Sequence, residues 1–134
     1  MKVFFIRFFA AIGALNAIGI PLLFSIDPNQ QPLFPLPGLY FIEIALVGVI
    51  GAFSLFLGRW SIAPWLASGI LLAFVVLGGF SIGFFLIPAF LAFAVGGALQ
   101  AGPSAPGLIR GSGLLLVGAL GQTALILALV QIIH

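Results

Sequence analysis

Charge is what this sequence has least of. Its 134 residues carry four basic and two acidic side chains, 4% of the chain, where a soluble domain carries about 25%. Lys2, Arg7, Asp27, Glu43, Arg59 and Arg110 are the whole set. Water wets such a surface poorly, and hydrocarbon solvates it well. No cluster of Lys and Arg is present, so nucleic acid is not an expected partner, because binding it requires a basic patch. The sequence pI near 10.0 reflects very few groups and says little about partners. Cysteine is absent. That excludes disulfides, thiolate ligands and a cysteine nucleophile, and it leaves the compartment open. The single histidine is His134, the last residue. Metal sites in helix bundles draw ligands from several facing helices, so this residue alone makes a poor one. The sequence shows no nucleophile beside a base, no paired carboxylates and no glycine loop with a phosphate-binding lysine. The expectation is a non-catalytic protein with no cofactor and no metal.

What the chain does have is hydrocarbon: 63% of its residues are hydrophobic and 13% are aromatic. Residues 60–109 contain no charged side chain. Drawn as one helix at about 1.5 Å per residue, that segment would be roughly 75 Å long. A bilayer core is about 30 Å thick and takes about 20 apolar residues per span. The segment must fold back and cross at least twice. The fold class expected is therefore an all-α integral membrane protein, a small polytopic helix bundle forming one transmembrane domain.

The N-terminus resembles a signal peptide in its first residues, with Lys2 and Arg7 ahead of an apolar stretch. That stretch continues to Ile26, beyond a typical h-region, and no small-residue cleavage site is evident. It reads as an uncleaved first span at residues 3–25. A polar stretch follows at residues 26–37, with Pro28, Pro32, Pro35 and Pro37. Proline removes a backbone donor and fixes φ, so no helix runs through it. The remaining spans are read at residues 38–58, 62–79, 84–100 and 111–133. Pro64 and Pro88 fall in first turns, where a missing N–H costs little. Gly78-Gly79-Phe80-Ser81-Ile82-Gly83 is the strongest turn signal in the uncharged segment and marks the reversal there. Residues 101–110, with two prolines and two glycines, read as a loop. Two alternatives exist for residues 62–100: a re-entrant segment, or one broken helix giving four spans.

Five spans place Lys2, Arg7, Arg59 and Arg110 on one side and Asp27 on the other. Cytoplasmic loops are enriched in Lys and Arg, so the N-terminus is expected inside and the C-terminus outside, in a cell membrane of bacterial plasma-membrane type. Arg7, Arg59 and Arg110 then act as inner anchors facing anionic headgroups. Trp60 and Trp65 are expected at the inner interface and Tyr40 at the outer one. Phe4, Phe5, Phe8 and Phe9 are expected to face lipid.

Apolar burial does not drive helices together in a membrane, whereas small residues let backbones approach. The expected packing positions are Ala10, Gly13 and Ala17 in the first span, and Gly48, Gly51 and Ala52 in the second. Ala89, Ala92, Gly96 and Gly97 serve the fourth, and Gly113, Gly118 and Gly121 the fifth. Among polar residues, Glu43 stands out, because a carboxylate at membrane depth is costly and often functional. It is either a proton or cation site, or close enough to the interface to reach water. Asn16, Gln122 and Thr123 fall near the midplane. They are expected to hydrogen-bond across helices, at about 0.6 to 2 kcal/mol per contact, or to line a polar path. Ser54, Ser68 and Ser81 are expected to bond carbonyls one turn back.

Composition favours an accessory or scaffold subunit of a larger membrane assembly, with lipids and other membrane subunits or a second copy as partners. The alternative is a small permease or ion-coupled carrier using Glu43, Asn16 and Gln122. A third reading is a lipid- or quinone-binding helper using Phe8, Phe9 and the proline-rich loop, where residues 29–31 are a candidate docking point.

Overall fold

The computed structural model describes residues 1–26, 38–79, 82–102 and 105–133. Every regular element among these is a helix: α1 Lys2–Ile26, α2 Gly38–Leu57, α3 Ala63–Leu77, α4 Ile82–Phe85, α5 Ile87–Ala101 and α6 Ala105–Ile133. Three helices are long and apolar enough to cross a membrane: α1, α2 and the Pro106–Ile133 part of α6. Helices α3 and α5 have 15 residues each, about 22 Å of helix.

Local chemistry explains most of the boundaries. Pro64 and Pro88 occupy the first turns of α3 and α5, as their missing donors allow. Gly78 closes α3 by donating its N–H to Phe74 O at 2.8 Å, and Gly83 N then donates to Gly78 O at 3.0 Å. A Cβ on Gly83 would lie 2.6 Å from Phe74 O and 2.7 Å from Gly78 O, so only glycine fits where the chain turns back this tightly. The expected reversal is thus centred correctly, although residues 80–81 lie outside the described residues. So do the proline-rich stretch 27–37 and His134.

Two expected boundaries are corrected. The fourth segment begins at Ile82 rather than at residue 84, and it is broken at Leu86, between α4 and α5. The loop expected at 101–110 is far shorter, because α6 already begins at Ala105. Pro106 lies in the first turn of α6, where proline starts a helix rather than ending one. The stop comes earlier, at Gly102 with φ 82°, whose N–H donates to Ala98 O.

The chain reverses between successive segments, and the clefts at its ends show the result. The Lys2–Arg7 end of α1, the end of α2, the start of α3, the end of α5 and the start of α6 all share clefts. Lys2, Arg7 and Arg110 line these clefts, and Arg59 follows directly on α2. All four basic residues therefore gather at one end of the bundle. The opposite end brings Phe24 of α1 against Phe85, and Tyr40 of α2 against Phe74 of α3.

Phe93 of α5 is the centre of the core, fully buried. Its ring fills the space left by Gly13 of α1 and Gly51 of α2. Gly48 lies against Ala17, and Gly96 lies under Leu55. Helix α6 packs chiefly on α3. Gly69 faces the Leu115 carbonyl there, and Gly118 faces Leu66 O.

Candidate functional site

Among the described residues, polar side chains inside the bundle fall into two groups. The first is centred on Asn16. Its Nδ2 donates to Phe85 O at 3.0 Å, and its Oδ1 accepts from Ala89 N at 3.2 Å. In an unbroken helix Ala89 N–H would donate to Phe85 O directly. The primary amide of Asn16 is inserted between these two groups and completes both. The reason is Pro88, which has no N–H and whose ring would clash with the Phe84 carbonyl if α4 ran straight into α5. Asn16 is thus positioned by α1 to mend a break that proline imposes on another helix.

The second group lies toward the opposite end from the basic residues. Glu43 is partly buried on α2, one turn from Tyr40. Tyr40, three residues before Glu43, lies on the same side of the helix. The Gln122 side chain of α6 faces the Glu43 carboxyl. Gln122 is only 5% exposed, and its Nε2 makes no hydrogen bond of proper geometry; the buried Tyr40 hydroxyl also has none. Helices α2 and α6 make no close backbone approach among the described residues, so long side chains alone bring the three together beside α3. Gln122 reaches this point because it continues the stripe Gly111, Leu115, Gly118 that faces α3. The arrangement offers one acid and two hydrogen-bond donors, chemistry suited to holding a proton or accepting a small polar guest, and no nucleophile stands near it. Sequence reasoning grouped Glu43 with Asn16 and Gln122 as one candidate site, and Asn16 instead bonds Phe85 O and Ala89 N. The same reasoning missed Tyr40, reading it as an interfacial anchor, though its spacing of three from Glu43 was the available signal.

Other polar residues differ from expectation. Thr123 does not cross to a neighbour: its Oγ1 donates to Ala119 O at 2.8 Å, one turn back. Ser68, expected to bond locally, instead donates to Phe90 O of α5 at 3.1 Å. Ser54 bonds forward, to Arg59 O at 2.6 Å and Trp60 O at 2.9 Å, and so caps the end of α2. Ser81 lies outside the described residues. Serine bonds whichever carbonyl is unsaturated and near, and helix ends and neighbouring helices supply these here.

At the basic end Trp60 is 62% exposed, whereas Trp65 is 7% exposed. Trp65 is therefore no surface anchor. Its indole lies in a slot left by Gly97 and Gly111. Arg7, Arg59 and Arg110 are exposed. Gly13, Ala17, Gly48, Gly51, Gly96 and Gly118 are buried within the bundle, but Gly121 is exposed, and a Cβ added to it would meet nothing within 4 Å. Gly113 behaves the same way.

No known family, no curated protein and no solved structure matches this chain.

Proposed function

We propose that this protein is a non-catalytic membrane protein that crosses the bilayer five times, basic end in the cytoplasm, and serves as an accessory or scaffold subunit of a larger assembly. The carrying observation is the outward face of α6. This 29-residue helix covers α3 with one stripe, while Leu116, Val117 and Leu120 are exposed and Gly113 and Gly121 face open space. Small residues beside apolar ones are how one membrane helix receives another. The polar side chains of Asn16, Ser54, Ser68 and Thr123 support the same reading, because each is taken up in bonds to the bundle's own backbone.

Extraction in mild detergent and mass measurement tests this. A defined complex is expected, and Gly121→Leu is expected to release partners while leaving helical content unchanged. A protein that stays alone under all gentle conditions overturns the reading. The second reading, an ion-coupled carrier, is favoured by Glu43 with Gln122 facing its carboxyl. Flux that survives Glu43→Gln and Asn16→Ala removes it.

A further inference from the structure

A cleft at the basic end opens between the start of α3, the end of α5 and the second turn of α6. Its volume is about 300 Å³, and its lining includes Ser61, Ile62, Trp65, Gln100, Arg110 and Leu114. These residues divide by chemistry. Arg110 presents an exposed guanidinium with five N–H donors. Ser61 brings a hydroxyl. Gln100 brings a carbonyl oxygen, Oε1, that is buried and has no hydrogen-bond partner. Ile62, Leu114 and the buried Trp65 make an apolar floor. A second cleft, which carries Arg7, is also lined by Gln100.

Charge complementarity decides the guest. The chain's only acids are Asp27 and Glu43. Glu43 lies toward the opposite end, and Asp27 follows Ile26, the last residue of α1, in sequence. No carboxylate among the described residues faces Arg110 at this end. The guest must bring a negative oxygen to Arg110, a hydroxyl hydrogen to Gln100 Oε1 and hydrocarbon to the floor. We infer that this cleft binds an anionic glycerophospholipid whose headgroup bears a free hydroxyl. The phosphate accepts from Arg110 and Ser61, the headgroup hydroxyl donates to Gln100, and the chains run down past Ile62 and Leu114. A charged pair of this kind is directional in a way that diffuse attraction to a basic surface is not. The inference rests on the membrane placement of the chain but not on its being a subunit of an assembly.

The full chain, purified in mild detergent, would be titrated with phosphatidylglycerol or phosphatidylcholine of identical acyl chains, and bound lipid counted by native mass spectrometry. One phosphatidylglycerol is expected to bind at least about fivefold more tightly than phosphatidylcholine, the effect of one well-placed cation. Arg110→Gln is expected to abolish that preference. Arg59→Gln is expected to keep it, since Arg59 shares the end of the bundle but not the cleft. Gln100→Leu is expected to remove the preference for phosphatidylglycerol over phosphatidylmethanol, which lacks the hydroxyl. Should Arg110→Gln lose helicity, Arg110→Lys keeps the charge without the planar fork, and an intermediate preference is expected. Equal binding of the two lipids overturns the inference. So do equal losses in the Arg59 and Arg110 variants, and competition by inorganic phosphate alone at millimolar concentration. Failure here leaves co-purifying subunits untouched, so it is distinct from failure of the accessory reading.

Discussion

Replacing Asn16 with alanine tests whether one side-chain amide holds a broken helix together. The substitution deletes two hydrogen bonds, to Phe85 O at 3.0 Å and from Ala89 N at 3.2 Å. Cross-helix hydrogen bonds in membrane proteins average about 0.6 kcal/mol and reach about 1.7. Two of them give roughly 1 to 3 kcal/mol. The variant cannot readily recover this by joining Ala89 N–H to Phe85 O, because Pro88 would then sit where its ring meets the Phe84 carbonyl. The Ala89 N–H is left without its acceptor in a fully buried residue, and an orphaned buried group costs about 1 to 3 kcal/mol. A loss of about 2 kcal/mol is therefore expected. Reversible unfolding in mixed micelles of rising dodecyl sulfate content, followed by circular dichroism, measures it. Hydrogen exchange at Ala89 should quicken in parallel. Thr123→Ala is the control, since its bond to Ala119 O is local, and it should change stability by less than about 0.5 kcal/mol. An Asn16→Ala variant as stable as that control refutes the bridge.

Further outcomes follow from the glycines, the core aromatic and the polar cluster. Gly69→Ala should be strongly destabilising, because the new Cβ meets the Leu115 carbonyl and Ala119 N, both backbone. Gly19→Ala, with nothing within 4 Å, should be neutral or slightly stabilising; the same micelle titration compares them. Phe93→Ala should cost about 3 to 5 kcal/mol, the range for a fully buried aromatic, read as a lowered unfolding midpoint. Gln122→Leu removes the side chain that faces the Glu43 carboxyl. It should cost about 1 kcal/mol or more, and an unchanged unfolding midpoint would show that Gln122 does not serve the carboxyl.

Much of the fold was legible because its signals are local. Pro64 and Pro88 mark helix starts for a covalent reason that does not depend on neighbours. Gly83 turns the chain because any other side chain would strike two carbonyls. The gathering of Lys2, Arg7, Arg59 and Arg110 at one end follows from reversal between successive segments. Pro106 misled because proline near glycine reads as a breaker, and the same residue is equally at home in a first turn. Pro88 signalled the break at Leu86, but what mends it was not legible. Nothing in the Ile-Pro sequence says that an amide from a helix far away in the chain will stand in for the lost bond.

The same division holds at the site. Glu43 and Gln122 were conspicuous as polar residues in apolar helices, a property of sequence alone. That they face each other, with Tyr40 beside them, depended on α6 packing over α3. Gly118 and Gly121 make the contrast plainest, being the same residue type three positions apart on one helix. One faces the Leu66 carbonyl and the other faces outward. The sequence by itself determined that the chain is helical and apolar and where several of its turns fall, because hydropathy and backbone restriction act within a few residues. Only the tertiary structure decided which face of each helix is covered, which aromatic is buried and which polar groups meet. Those outcomes depend on the rotation of each helix against its neighbours, which close packing of many side chains fixes together.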